Sequence, residues 1–173
     1  MTPDTKTESV SLVGMAGAGK STLGRALAKR LDWAFVDTDR LMEAYWGQNL
    51  QDLYDAVGRT TFLELESHQV TSLGLNRTVI ATGGSVVYSR PAVERLKLLG
   101  HVIFLRIDLD TFLERVGPAT GRAFARPPDK TLAEVYAERQ PLYQAAADLT
   151  VDTQGRDVEA CVDEIADWMA RQP

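Results

Sequence analysis

Short apolar runs alternate with longer amphipathic stretches along the chain. Uninterrupted runs such as Val79-Ile80-Ala81 and Val102-Ile103-Phe104-Leu105 are typical of strands that are buried on both faces of a parallel sheet. The pattern predicts strands at residues 9–14, 34–37, 78–82, 101–107 and 148–152. Apolar residues spaced three to four apart predict helices at 20–31, 39–46, 49–56, 59–74, 90–99, 109–116, 131–146 and 156–170. This alternation predicts a three-layer α/β fold, in which helices flank a five-stranded parallel sheet.

Length and composition fit one globular domain over residues 1–173, with residues 1–8 as a flexible tail. The chain is 45% hydrophobic and 25% charged, and its formal charge of −5 without a clustered basic face disfavours nucleic acid as a partner. No apolar run approaches the roughly 20 residues of a membrane span, and the N-terminus lacks the apolar segment of a secretory signal. Cys161 is the only cysteine, so we expect no internal disulfide, and a cytoplasmic location fits.

A glycine-rich stretch, GMAGAGKST, lies between the first predicted strand and the first predicted helix. Gly14, Gly19, Lys20 and Ser21 fit the phosphate-loop pattern of Gly, four residues, Gly-Lys and then Ser or Thr. Glycines let successive backbone N–H groups face phosphate oxygens, and the following helix N-terminus favours an anion. We predict that a nucleoside triphosphate binds through Gly14, Gly17, Ala18, Gly19, Lys20, Ser21 and Thr22.

Two carboxylates follow the second predicted strand. Asp37 and Asp39 should lie at the carboxyl edge of the sheet, beside the phosphate loop, where ligands of open α/β sheets bind. Residues two apart on a strand share a face, so both could reach one cleft if the extended geometry persists to Asp39. The alternative is that Thr38 or Asp39 only caps the next helix.

Two further segments are candidates for the same cleft. Gly83 and Gly84 follow the third predicted strand and would allow a ligand to approach the backbone closely; a tight turn would use the same residues. Residues 117–130 contain two glycines, three prolines and two arginines, which is typical of a mobile surface loop. We predict a lid that closes over the phosphates; a solvated connector is the alternative.

Taken together, these motifs resemble those of the shikimate kinase family, a branch of the nucleoside-monophosphate-kinase-like P-loop proteins. The similarity runs over about residues 9 to 170, through GMAGAGKST, through Asp37-Thr38-Asp39 and through Glu138-Arg139-Gln140-Pro141-Leu142-Tyr143. It implies that residues 38–75 form the acceptor-binding segment. It also implies that Ser21 and Asp37 hold Mg²⁺ and that Arg115 packs on the adenine of ATP.

The resemblance also implies roles on the acceptor side. Asp39 would contact the acceptor hydroxyls and act as base, and Arg139 would bind the acceptor carboxylate. Glu66 matches the acidic position of the family, where it would orient an arginine or bind a hydroxyl; a solvated helix charge is the alternative. Gly83 and Gly84 would lie against the acceptor, and Lys20 and Arg122 would complete the catalytic set.

Three acceptor-side motifs differ from those of the family. Its Phe-Arg-x-x-Glu motif reads Phe62-Leu63-Glu64-Leu65-Glu66, so a carboxylate-binding arginine is leucine here, and its Gly-Gly-Gly reads Gly83-Gly84-Ser85. Its lid motif aligns with Arg122 or, in a competing alignment, with Arg126; spacing to Arg139 favours Arg122. Arg59 lies four residues before Leu63 on the same predicted helix face. Its guanidinium could replace the missing one, or it could be a solvated surface arginine.

The family implies an enzyme that transfers the γ-phosphoryl group of ATP to a hydroxyl of a small carboxylate-bearing acceptor in amino-acid biosynthesis. Shikimate is the acceptor by family default, with ATP and Mg²⁺ as cofactors. The altered motifs leave open a divergent member that acts on another hydroxy acid such as homoserine or gluconate. A non-catalytic nucleotide-binding regulatory module is the alternative of another class. We expect a cytoplasmic monomer that uses neither nucleic acid nor membrane as a partner.

Overall fold

A computed structural model describes residues 8–116 and 125–172 of the chain. Five parallel strands form one sheet, in the order β2-β3-β1-β4-β5. They are β1 Ser9–Val13, β2 Ala34–Asp37, β3 Thr78–Ala81, β4 Gly100–Arg106 and β5 Leu149–Asp152. The predicted α/β fold and its five strands are confirmed.

Helices flank the sheet, as the periodicity predicts. Among the described residues these are α1 Lys20–Leu31, α2 Thr38–Trp46, α3 Leu50–Thr71, α4 Arg90–Leu99, α5 Leu109–Val116, α6 Leu132–Ala146 and α7 Val158–Met169. A short 3₁₀ helix, Val86–Tyr88, precedes α4 and was not predicted. In the part of the chain that the structure describes, none of these helices combines the length and the apolar character that crossing a bilayer requires.

The core lies around the central strands. All five residues of β1 and all four of β3 are buried, which is why their sequences are nearly continuous apolar runs. Helix α1 packs against α7, and α3 packs against α4. The carboxyl ends of the parallel strands therefore meet at one edge of the sheet, and the segments that follow β1, β2 and β3 are brought together there.

The segment after β2 differs from the expectation. Extended geometry ends at Asp37 (φ −112°, ψ 115°), and Thr38 already belongs to α2. The N-cap is Asp37 itself, whose Oδ1 accepts hydrogen bonds from the N–H groups of Asp39 and Arg40 at 3.1 and 3.3 Å. The extended geometry therefore does not persist to Asp39, and the alternative in which Thr38 or Asp39 caps the helix is also wrong.

The two helices predicted at 49–56 and 59–74 form one element, α3, with a sharp break. Gly58 adopts φ 75° and ψ 170°, a conformation that a residue with a side chain rarely takes, so α3 changes direction there. Arg59 is the first residue after the break. The helix ends at Thr71, three residues earlier than expected.

Candidate active site at the carboxyl edge of the sheet

The glycine-rich stretch forms the loop between β1 and α1. Gly19 takes the N-cap position of α1 in a left-handed conformation. Because glycine has no capping side chain, the first N–H groups of α1 can be used by an anion. Lys20 Nζ donates hydrogen bonds to the carbonyl oxygens of Gly14 and Met15, both at 2.8 Å, so its ammonium group lies over the loop. This geometry makes the loop suitable for an anion such as a phosphate.

Ser21 and Asp37 meet beside this loop. Ser21 Oγ donates to Asp37 Oδ2 at 2.6 Å, while the other oxygen of the same carboxylate caps α2. A hydroxyl and a carboxylate are the hard oxygen ligands that Mg²⁺ prefers. The donor set fits this ion, and the helix cap fixes the carboxylate in place.

The turn after β3 runs against two carboxylates. A Cβ on Gly83 would lie 2.0 Å from Glu66 Oε1 and 2.8 Å from Asp39 Oδ1, so a larger residue does not fit without displacing them. The N–H of Gly83 donates to Thr38 Oγ1 at 3.2 Å. Asp39 on α2 and Glu66 on α3 thus face the same glycine, although they come from different helices.

Glu66 is buried, with 3% of its surface exposed. Ser85 Oγ donates to Glu66 Oε2 at 2.6 Å, so the serine that replaces the third family glycine binds this carboxyl group. Burial raises the pKa of Glu66 from 4.5 to about 7, and the negative charge of Asp39 acts in the same direction. The hydrogen bond from Ser85 and the charges of Arg139 and Lys20 oppose this shift. Glu66 is therefore poised to titrate near neutral pH.

Arg139 lies beneath the glycine turn, on α6, with only 1% of its surface exposed. Its Nε donates to the Tyr88 hydroxyl at 3.2 Å, and its Nη1 lies 3.3 Å from where a Cβ on Gly84 would be. Tyr143, one turn further along α6, donates its hydroxyl to the Gly84 carbonyl at 2.5 Å. Burial raises the pKa of Tyr143, so the phenol stays protonated and can donate. Sequence reasoning missed Tyr88, which no local pattern marks.

Arg59 reaches the same place from α3. Its Nε donates to the Ala125 carbonyl oxygen at 3.3 Å, and Arg139 Nη2 donates to the same oxygen at 3.2 Å. The side chain is half-buried rather than solvated. A cleft of about 510 Å³ opens here. Six of its lining residues are Arg59, Leu63, Ser67, Ser85, Tyr88 and Ser89.

A second, smaller pocket lies on the other side of the phosphate loop. Arg115 donates to the Gly17 carbonyl oxygen at 2.6 Å, and Thr153 donates to that of Ala18 at 3.1 Å. The pocket has a volume of about 200 Å³ and is lined by Ala18, Gly19, Thr22, Arg115, Thr153 and Arg156, among others. Thr153 and Arg156 follow β5 at the same sheet edge, so the rule that found Asp37 could have found them.

The structure thus brings together the predicted residues that it describes. The phosphate loop, Asp37, Asp39, Glu66, Gly83, Gly84 and Arg139 line one continuous edge, with Arg115 beside the loop. Arg122 and residues 117–124 of the predicted lid lie outside the described residues. Within residues 125–130, Arg126 donates to the Lys130 carbonyl oxygen at 2.8 Å.

Similarity to known proteins covers nearly the whole chain. The family model "Shikimate kinase" matches residues 16–170. A shikimate kinase of Francisella tularensis subsp. holarctica is 32% identical over 171 residues, which are 96% of this chain and 97% of that protein. A relative from Francisella philomiragia, also a shikimate kinase, has the same identity and coverage.

Solved structures agree with the sequence relatives. A shikimate kinase from Acinetobacter baumannii, in complex with shikimate, superimposes with a TM-score of 0.82 at 29% identity, covering 95% of this chain and 93% of that one. The enzyme from Aquifex aeolicus superimposes with a TM-score of 0.79 at 28% identity, covering 91% and 94%. Fold, phosphate loop and relatives all agree, and the chain belongs to the shikimate kinase family.

Proposed function

We propose that this protein transfers the γ-phosphoryl group of ATP to a hydroxyl of shikimate. One observation carries the proposal: the turn at Gly83 and Gly84 lies between the phosphate loop and the buried guanidinium of Arg139. The position of a Cβ on Gly84 lies 3.3 Å from Arg139 Nη1 and 3.5 Å from the Gly14 carbonyl oxygen. An acceptor whose carboxylate is bound by Arg139 would therefore lie beside the loop that binds the phosphates.

On the nucleotide side, the backbone from Gly14 to Thr22 would bind the phosphates, and Lys20 would leave its loop carbonyls for the outer phosphate oxygens. Positive charge placed there before the reaction stabilises the negative charge of the transition state. Arg115 would pack on the adenine in the pocket of about 200 Å³. Ser21 and Asp37 would hold Mg²⁺, which, when bound, supplies further positive charge against the phosphates.

On the acceptor side, Asp39 would accept a hydrogen bond from the reacting hydroxyl and take its proton as the oxygen attacks phosphorus. Glu66 lies beside Asp39 and shares its glycine. It would bind a second hydroxyl of the acceptor. Gly83 and Gly84 would leave room for the acceptor ring against the backbone. Arg122 would approach the transferring phosphoryl group from the lid at 117–130.

The single-domain organisation over residues 1–173, with residues 38–75 as the acceptor-binding segment, belongs to the same proposal. We also propose that the protein acts as a monomer in the cytoplasm. The only cysteine, Cys161, is buried in the core, which fits a reducing compartment.

The test is ADP release with ATP and Mg²⁺, with shikimate, homoserine and gluconate compared at equal concentration. We expect turnover with shikimate, dependent on Mg²⁺, and loss of turnover in Lys20→Met. Turnover with homoserine or gluconate alone would show that the altered motifs have changed the acceptor. ATP binding without ADP release on any acceptor would favour a regulatory nucleotide-binding module.

A further inference from the structure

Two guanidinium groups from different helices converge on one oxygen atom. Arg59, on α3, and Arg139, on α6, both donate to the carbonyl oxygen of Ala125. Their guanidinium carbons also lie 5.5 and 5.0 Å from the centre of the Tyr88 ring. The ring and the carbonyl therefore hold two positive charges close together, that of Arg59 in the wall of the cleft and that of Arg139 buried behind Tyr88.

Two guanidinium groups that share one acceptor are well placed to bind an anion. Guanidinium groups repel each other, and the carbonyl oxygen that these two share carries only a partial negative charge. Arg139 also interacts with the buried carboxyl group of Glu66. A carboxylate carries a full charge and two oxygens, each of which can accept from a guanidinium. The Ala125 carbonyl oxygen is thus an acceptor of the right kind for the pair, but it binds guanidinium groups more weakly than a carboxylate would.

The break at Gly58 explains how Arg59 arrives there. It is the first residue after the break, and it shares the wall of the cleft with Leu63, one turn further along α3. Ser85, which also lines the cleft, binds Glu66, so the cleft adjoins the two carboxylates at Gly83. Asp39 faces the same glycine as Glu66, so it lies on the far side of Glu66 from the cleft wall at Ser85.

We propose that Arg59 and Arg139 together bind the carboxylate of the acceptor, and that the Ala125 carbonyl occupies the position of one carboxylate oxygen until the acceptor arrives. The proposal rests on the proposed function, because it requires an acceptor that carries a carboxylate. Leu63 then does not remove the second guanidinium from the site, since Arg59 supplies it from the preceding turn of the helix. Arg59 is a residue that determines acceptor specificity.

The test compares shikimate with its neutral carboxamide as acceptors in steady-state kinetics. In the wild type, losing the carboxylate should raise KM about thirtyfold or more, since removing one partner of a buried charged pair costs at least about 2 kcal/mol. Arg59→Ala should raise the KM for shikimate by a similar factor and leave the KM for the carboxamide and for ATP nearly unchanged. Arg59→Gln can still donate to the Ala125 carbonyl but has no charge, so it should behave like Arg59→Ala.

Two further variants provide the controls. Arg90→Ala removes an arginine near the cleft whose exposed guanidinium pairs with Glu94, and its KM for shikimate should stay at the wild-type value. Adding Leu63→Arg to Arg59→Ala supplies a guanidinium one turn further along the same helix and should recover most of the lost affinity.

The result that overturns the proposal is a KM for shikimate in Arg59→Ala equal to that of the wild type, with the preference for carboxylate over carboxamide intact. Recovery of wild-type affinity by Arg59→Gln would also overturn it, because the role of Arg59 would then be to hold Ala125. If the wild type phosphorylates homoserine or gluconate instead of shikimate, the proposed acceptor is wrong. The KM of Arg59→Ala is then compared with that of the wild type on homoserine or gluconate and its neutral carboxamide. A wrong acceptor is thereby distinguished from a wrong role for Arg59.

Discussion

Replacing Glu66 by glutamine should make the protein more stable at alkaline pH and leave it nearly unchanged in acid. The carboxyl group of Glu66 is buried, and its pKa rises from 4.5 to about 7 in the folded protein. The folded chain therefore holds a proton that the unfolded chain has already released. The stability associated with that proton is fully present below pH 4.5 and is lost as the pH rises through about 7.

The magnitude follows from the size of the shift. Each pKa unit corresponds to ~1.4 kcal/mol, so complete ionisation of Glu66 lowers the free energy of unfolding by roughly 3 kcal/mol. Between about pH 5.5 and about pH 8.5 the same linkage gives a loss of roughly 2 kcal/mol. Glutamine does not ionise, and its amide oxygen can still accept the hydrogen bond from Ser85. The variant should therefore lack this loss.

The assay is urea unfolding of the protein without ligands across this pH range. The quantity to compare is the difference in the free energy of unfolding between variant and wild type, because the contributions of titrating groups that do not interact with Glu66 cancel in it. Glu64→Gln is the matched control, since it removes an exposed carboxylate from the same helix. The difference in the free energy of unfolding between Glu64→Gln and the wild type should stay constant with pH.

A difference between Glu66→Gln and the wild type that stays constant from about pH 5.5 to about pH 8.5 would refute this reasoning. Glu66 would then ionise as readily in the folded chain as in the unfolded one. Water or a bound cation would have to reach the carboxyl group, and the burial described at Gly83 would not persist in solution.

Three other substitutions test the site, and a fourth, Thr131→Ala, is a control for the loss of a helix cap. Lys20→Met should lower kcat about a hundredfold or more with little change in the midpoint of thermal unfolding, because the ammonium group acts on phosphate charge rather than in the core. Asp37→Ala should cost about 1 kcal/mol of stability through the lost cap of α2 and also abolish Mg²⁺-dependent ADP release. Thr131→Ala, which removes the cap of α6, should cost a similar amount in urea unfolding and keep the wild-type kcat. Gly83→Ala should raise the KM for the acceptor and lower stability, since its Cβ would lie 2.0 Å from Glu66 Oε1; unchanged kinetics and unfolding would contradict the close approach.

The sequence was sufficient for those parts of the molecule that depend on local patterns. Apolar runs such as Val79-Ile80-Ala81 mark β3 because both faces of that strand are buried. The phosphate loop is equally local, since a strand, a glycine-rich turn and a helix follow one another in the chain. The break at Gly58 separates the two helices predicted for this segment, at 49–56 and 59–74.

The rest depends on contacts between distant segments. Nothing near Arg59 in the sequence indicates Ala125, yet the two are hydrogen-bonded in the fold. In the sequence, Ser85 is only a departure from a glycine motif, whereas in the fold its hydroxyl binds Glu66. Asp37 caps α2 because its side chain turns back onto the helix, a choice that strand periodicity cannot predict. Pairings of this kind depend on how α3, α6 and the sheet pack.

The central position of β1 has a consequence for synthesis on the ribosome. Val10 pairs with Val79 on one side and with His101 on the other, so the first strand to emerge receives its neighbours only when β3 and β4 have been made. Until then an apolar strand with two open edges is exposed, which favours slow folding and association with other chains. A nascent chain that has passed Glu66 already carries the whole phosphate loop but not the strands that hold it. Nucleotide binding should therefore begin late in translation, after Arg106 has left the exit tunnel.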